Sequence, residues 1–170
     1  MINSICNYLF VKIERRRGML FKTKYFGEID LGEDKILTFE NGIMGFENFK
    51  KYTILFDSED GTEPTISWLQ SLDEETLALP IINPLLVKED YNPVVEDELL
   101  SSLGELTEEN IVILLTMTIP AELEKMTVNL KAPFIINSDT KKGCQIIVEN
   151  KDYEIKYNVY DILKKKKGDK

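Results

Sequence analysis

Side chains that could carry out chemistry are few in this sequence of 170 residues. It contains no histidine, which excludes Ser-His-Asp triads, Cys-His pairs and histidine-ligated metals. Its two cysteines, Cys6 and Cys144, are too few for a four-thiolate zinc site, and free thiols fit a reducing cytoplasm. The acidic runs 57–60 and 73–75 could supply a carboxylate pair for hydrolysis, although most loop carboxylates are plain surface charge. We therefore expect no catalytic residue, no metal and no cofactor.

The charge of the chain is divided between two basic ends and an acidic middle. The whole chain carries −9, residues 1–18 carry +3 and residues 164–170 carry +4, which leaves −16 for residues 19–163. Such a body repels the phosphate backbone of nucleic acid and steers basic proteins toward itself. Acidity that serves solubility alone is the alternative interpretation.

The sequence predicts a cytoplasmic protein that does not enter a membrane. Its longest apolar run, residues 111–115, is far shorter than the ~20 residues of a membrane-spanning helix. A secretory signal has its positive charges before the apolar stretch, whereas Arg15, Arg16 and Arg17 follow the apolar residues 8–11.

Apolar and polar residues alternate along much of the chain from Met19 onward, a pattern typical of β-strands. The predicted strands are 21–31 with a possible bulge at Gly27, 35–39, 52–56, 66–71, 77–82, 111–119, 127–130, 134–137, 144–149 and 153–157. Residues 96–103, followed by Gly104, predict a short helix. Pro80 and Pro84 predict edge or irregular strands in their neighbourhood. The expected fold is mainly β: a small single-domain barrel or roll with one or two short helices.

Both ends of the chain differ from this central domain. Residues 1–18 are basic, and Glu14–Gly18 reads as a translated ribosome-binding site, so we expect Met19 to be the natural start. A genuine N-terminal arm is the alternative. Residues 158–170 form a basic C-terminal tail, which we expect to be solvated.

Several segments together resemble the FliW family of flagellar assembly factors, in the family's order and spacing. The segments are KYFGEI at 24–29, FENGIMGFE at 39–47, WLQSLD at 68–73, MTVNLKAPFIIN at 126–137, and the stretches 142–150 and 153–155. The resemblance covers residues 19–157 and implies a small barrel-like β domain.

The resemblance also implies a binding function without catalysis. FliW proteins bind CsrA, a dimeric RNA-binding protein that represses translation of flagellin messenger RNA, and they also bind flagellin. Accumulating flagellin then occupies FliW and frees CsrA. We expect a monomer that binds these two proteins and no nucleic acid. The alternatives are a flagellin-only chaperone, a carboxylate-dependent hydrolase and, least favoured by the charge, a nucleic-acid-binding barrel.

The candidate partner-binding residues are those in the matched segments with side chains suited to an interface. They are Phe46, Trp68, Gln70, Asp73, Asn129 and Lys131. Each has a structural alternative, most clearly Trp68, for which a buried core position is the default. Gly42, Gly45 and Pro133 match the family for backbone reasons, because loops and corners need them.

Overall fold

The computed structural model describes residues 10–11, 18–56 and 65–168. The acidic run 57–60 and most of the N-terminal segment, for which sequence analysis made predictions, lie outside these residues. The strands are β1 (Phe10–Val11), β2 (Met19–Thr23), β3 (Gly27–Leu31), β4 (Leu37–Thr38), β5 (Lys51–Leu55), β6 (Ser67–Ser71), β7 (Ala78–Ile82), β8 (Ile111–Thr118), β9 (Thr127–Val128), β10 (Phe134–Asn137), β11 (Lys142–Gln145) and β12 (Tyr157–Asn158). The helices are α1 (Asp97–Leu100) and α2 (Tyr160–Gly168).

A closed barrel forms from β4, β5, β6, β7, β8, β10 and β11. Neighbouring strands are antiparallel except β11 and β4, which meet in parallel at Lys142 and Thr38. Closure occurs at β8, which pairs with β7 on one edge and with β10 on the other. A closed barrel leaves no long unpaired edge among its strands. The predicted mainly β barrel is confirmed.

β8 is buried on both faces and divides two hydrophobic clusters. Val112 and Leu114 face the barrel interior, where they pack with Phe39, Tyr52 and Phe134. Leu115 and Met117 belong to a second cluster outside the barrel. A strand covered on both sides needs a nearly continuous apolar run, which explains the sequence of residues 111–115.

β2 and β3 form a separate two-stranded hairpin that packs on the outside of the barrel. Ile29 and Leu31 of β3 are buried against Leu55 of β5. The glycine at the turn, Gly27, has a φ of +66°, so it makes the reversal between the strands rather than a bulge within one strand.

Several predicted strands differ from the structure, and β12 covers only Tyr157–Asn158 where 153–157 was expected. β7 contains Pro80 yet lies between β6 and β8, so it is no edge strand. Its pairing with β8 is confined to Ile81 and Ile82, whereas Pro80 lies opposite Trp68 of β6. The missing N–H of Pro80 therefore falls outside the stretch that pairs with β8. In addition, β11 begins at Lys142 and is shorter than the predicted strand 144–149.

The two helices lie outside the barrel. α1 continues into a 3-10 turn, Ser101–Leu103, that ends at Gly104 with a φ of +84°, as the sequence predicted. α2 was not predicted. Val159 is fully buried and Leu163 is 8% exposed in the second cluster, so the solvated tail expected from residue 158 onward is wrong for these two side chains. Neither helix has the length or apolar character needed to cross a membrane, within the described ranges.

Candidate protein-binding surface

The loop between β4 and β5 places two apolar side chains on the surface. Met44 is 43% exposed and Phe46 is 37% exposed, while the adjacent Ile43 is buried in the barrel core. We call Met44, Gly45 and Phe46 the apolar tip. Exposed Met and aromatic side chains of this kind are enriched at the centres of protein interfaces.

Backbone hydrogen bonds and two glycines fix the conformation of this loop. The N–H of Gly42 donates to the Phe39 carbonyl at 2.8 Å, and the N–H of Phe46 donates to the Ile43 carbonyl at 2.9 Å. Gly42 and Gly45 have φ values of +69° and +84°, which residues with a Cβ adopt only at a cost in energy. The apolar tip is therefore held in one shape.

Polar side chains anchor the loop from both sides. The Oε1 of Gln145 in β11 accepts a hydrogen bond from the Met44 N–H at 2.9 Å. The carboxylate of Glu47 accepts one from the Gly45 N–H at 2.9 Å, and this bond lowers the pKa of that carboxyl below its ordinary value. Glu47 therefore stays negatively charged beside the apolar tip.

Asp73 forms hydrogen bonds with the C-terminal end of the same loop. Its Oδ2 accepts hydrogen bonds from the backbone N–H groups of Lys50 at 2.7 Å and Lys51 at 2.9 Å. The side chain is thus engaged at the point where the loop joins β5. Asp73 therefore supports the backbone of the loop that carries Phe46.

A second exposed feature is an aromatic patch formed by Lys24, Tyr25 and Trp68. The rings of Tyr25 and Trp68 have centroids 4.4 Å apart, and Nζ of Lys24 lies 5.1 Å from the centre of the Tyr25 ring. Tyr25 is 53% exposed and Trp68 is half-buried. Trp68 is therefore neither a core residue nor a free anchor, because the turn between β2 and β3 covers part of it.

Gln70 is fully buried and holds the hairpin to the barrel. Its Oε1 accepts a hydrogen bond from the Lys24 N–H at 3.0 Å, and its Nε2 donates to the carbonyls of Ser71, Glu75 and Leu77. With no exposed surface, it has no access to a partner in this conformation. Its position supports Tyr25, which the candidate set did not include.

Asn129 and Lys131 shape the corner between β9 and β10. The Oδ1 of Asn129 accepts hydrogen bonds from the N–H groups of Lys131 at 2.9 Å and Ala132 at 3.1 Å. The ammonium group of Lys131 donates to the Asn150 carbonyl. Both side chains are half-buried and bonded within the domain. Their geometry is that of a structural corner.

Sequence reasoning missed Met44 and Tyr25, although both stand in the matched segments. Met44 lies between two loop glycines, a position that favours exposure. Tyr25 reads as one more apolar residue in an alternating strand, but it lies in the hairpin turn, where its ring contacts Trp68 and stays 53% exposed. The turn position was hidden because Gly27 was read as a bulge.

Glu74, at the centre of the acidic run 73–75, does not have the environment of a general acid. A general acid at neutral pH needs a carboxyl with a raised pKa. The side-chain hydroxyl and backbone N–H of Thr76 both bond to Glu74 and lower its pKa instead. Across the described part of the chain, no group of three or more acidic or cysteine side chains could hold a metal ion.

Comparisons with known proteins agree on one family. The sequence profile of the FliW protein matches residues 20–159, which span the barrel strands and the loop with the apolar tip. A flagellar assembly factor FliW of Lachnoclostridium phytofermentans is 63% identical over 143 residues, covering 84% of this chain and 92% of that protein. One from Thermotoga maritima is 40% identical over 150 residues, covering 88% of this chain and 98% of that protein.

The fold agrees as well. A crystal structure of the flagellar assembly factor FliW superposes with a TM-score of 0.75 and 29% identity, covering 83% of this chain and 96% of that one. Sequence and fold therefore point to the same family over most of the chain. On these grounds, this chain belongs to the FliW family of flagellar assembly factors.

Proposed function

We propose that this protein acts in the cytoplasm as a partner switch that binds the translational repressor CsrA and flagellin. Binding of CsrA relieves repression of flagellin messenger RNA, and accumulating flagellin displaces CsrA. Membership of the FliW family supports this function. A switch of this kind needs two binding events and no chemical step.

The apolar tip is the observation that carries the proposal. Met44 and Phe46 are exposed on a loop whose shape is fixed by hydrogen bonds, so little conformational entropy is lost when a partner binds. Glu47 lies next to the tip as an exposed carboxylate, and Glu40 before the tip is also exposed and pairs with Lys142 at 2.7 Å. An apolar centre with an acidic rim suits a basic RNA-binding protein.

Titration calorimetry of the purified chain with CsrA, alone and in the presence of flagellin, tests the switch. We expect CsrA to bind and flagellin to abolish the heat of binding. Binding to flagellin alone would reduce the function to that of a flagellin chaperone. Absence of heat with both proteins would contradict the proposal.

The Phe46→Ala substitution tests the apolar tip itself. Loss of a central aromatic anchor typically costs at least about 2 kcal/mol, so we expect the affinity for CsrA to fall by about thirtyfold. Leu99→Ala is the matched control, because Leu99 is 49% exposed in α1 and lies in no matched segment. Equal affinities for the two variants would show that the apolar tip is not the CsrA contact.

A further inference from the structure

One edge of β5 is completed by the N-terminal segment of the chain. β6 pairs along one edge of β5, from Tyr52 to Leu55. On the other edge, β4 pairs only with Lys51 and Tyr52. The remaining part, Ile54 and Leu55, pairs in parallel with Phe10 and Val11 of β1. We call the part of this edge at Ile54 and Leu55 the acceptor edge.

The acceptor edge exists because β4 begins too late to cover it. The residues before β4 form a 3-10 turn, Glu33–Lys35, so the ladder between β4 and β5 stops at Tyr52. The hydroxyl of Thr53 donates to the Lys35 carbonyl at 3.0 Å and marks the limit of β4. Past Thr53, the backbone groups of β5 on this side need a strand from elsewhere.

The side chains at the acceptor edge are already part of the domain. Ile54 packs in the barrel core, and Leu55 packs against Ile29 and Leu31 of the hairpin. Both are fully buried in the structure. A strand that adds here therefore gains backbone hydrogen bonds at an edge whose side chains already pack with the barrel core and the hairpin.

The strand that fills the edge lies outside the region shared with the family. The FliW profile covers residues 20–159, which includes β5 but not β1. The acceptor edge is thus a feature of the shared domain, and β1 is an addition to it. Parallel pairing through two positions is also weaker than the antiparallel pairing between most strands of the barrel.

We propose that the acceptor edge is a strand-addition site for an extended apolar segment of a partner protein, with basic residues after it, and that β1 occupies the site as a displaceable strand. The role of β1 applies to a genuine N-terminal arm, the alternative to a start at Met19. β1 itself shows the chemistry that fits: apolar residues 8–11 precede Lys12, Arg15, Arg16 and Arg17. The net charge of −16 on residues 19–163 favours such a basic flank. This site is additional to the proposed switch and does not depend on CsrA or flagellin binding.

A peptide of residues 7–17, added to the full-length chain and to its Val11→Pro variant, tests the site. Proline has no N–H to donate, so the variant should release the acceptor edge. By calorimetry we expect the peptide to bind the variant about tenfold more tightly or better, because a tethered strand competes at millimolar effective concentration. Equal binding to both chains, or to neither, would overturn the proposal.

Hydrogen exchange provides an independent readout at the site itself. Amides at 54–55 should lose protection in the Val11→Pro variant and regain it when the peptide is added. Unchanged protection in the variant would also overturn the proposal. A second variant, Phe10→Gly with Val11→Gly, weakens the strand without proline. It should show the same loss of amide protection and the same recovery with the peptide. Thermal unfolding of both variants at the wild-type temperature is the control for folding. A peptide with its three arginines replaced by glutamate should bind more weakly if the basic flank contributes.

Discussion

Two buried tyrosines differ in whether their hydroxyl groups have a partner. Tyr91 donates a hydrogen bond to the Leu130 carbonyl at 2.9 Å. Tyr52 is fully buried in the barrel, and within the described residues its hydroxyl has no hydrogen-bond partner. Burial, with a smaller contribution from Asp73, raises the pKa of Tyr52 to about 12. The same aromatic ring therefore stabilises the core in both places, while the hydroxyl is favourable only in Tyr91.

Replacing each tyrosine by phenylalanine should separate these effects. At pH 7, Tyr91→Phe should lower the free energy of unfolding by about 1 kcal/mol, whereas Tyr52→Phe should leave it unchanged or raise it. The unfolded chain ionises Tyr52 from pH 10, but the folded chain does so only near 12, so stability falls over that interval. Tyr52→Phe should reduce this alkaline loss. Urea unfolding at pH 7 and at pH 10 to 12 measures these free energies. Equal losses of stability in the two variants at pH 7 would show that the two hydroxyl groups do not differ in hydrogen bonding.

The loop that carries the apolar tip depends on two glycines in different ways. Both have positive φ, but only Gly42 is also enclosed: a Cβ there would lie 2.6 Å from the Glu47 carbonyl oxygen and 2.7 Å from its Cα. At Gly45, a Cβ would have nothing within 4 Å of it. A side chain at Gly42 is therefore disfavoured both by the positive φ and by the Glu47 backbone, whereas a side chain at Gly45 is disfavoured by the positive φ alone.

Alanine substitutions should rank accordingly. Gly45→Ala should lower the free energy of unfolding by about 1 to 2 kcal/mol, because alanine must adopt a left-handed backbone conformation. Gly42→Ala should cost about 1 to 3 kcal/mol more, because the Glu47 backbone must also move. Urea unfolding of the two variants gives the comparison. Equal losses of unfolding free energy would mean that the Glu47 backbone moves at little cost to admit a side chain at Gly42, so that the loop is not rigid.

Predictions from sequence were good where local pattern and burial agree. The alternation at 66–71 and 77–82 predicted β6 and β7, and Gly104 correctly marked the end of the α1 segment. The pattern did not reveal that Gln70 is fully enclosed, because three of its hydrogen-bond partners lie outside β6: Lys24 in the hairpin, and Glu75 and Leu77 in the loop after β6. A polar residue in an alternating strand is normally exposed.

The net charge of the protein affects the rate at which charged partners approach it. Residues 19–163 carry −16, a field that accelerates the approach of a basic protein and is screened by salt. Contacts at the apolar tip act only once the partner has arrived. The association rate should therefore depend mainly on salt, and the dissociation rate mainly on substitutions in the apolar tip.

Stopped-flow kinetics with CsrA at about 0.05 and about 0.5 M salt can separate the two contributions. We expect the association rate to fall by about tenfold or more at the higher salt, with a smaller change in the dissociation rate. Phe46→Ala should raise the dissociation rate and keep the same salt dependence of association. An association rate that does not change with salt would show that the acidic body does not steer CsrA.

The amino-acid pattern was sufficient for the family, the barrel and most of its strands, because alternation, turn glycines and the matched segments are local properties of the chain. The proposed partner surface could not be predicted in the same way. Whether Phe46 is exposed, Gln70 enclosed or Val159 buried depends on which distant segments pack against them, and period-two patterning is the same in each case. The acceptor edge of β5 is the clearest example, since it exists only because β4 begins at Leu37 and leaves Ile54 and Leu55 to pair with β1.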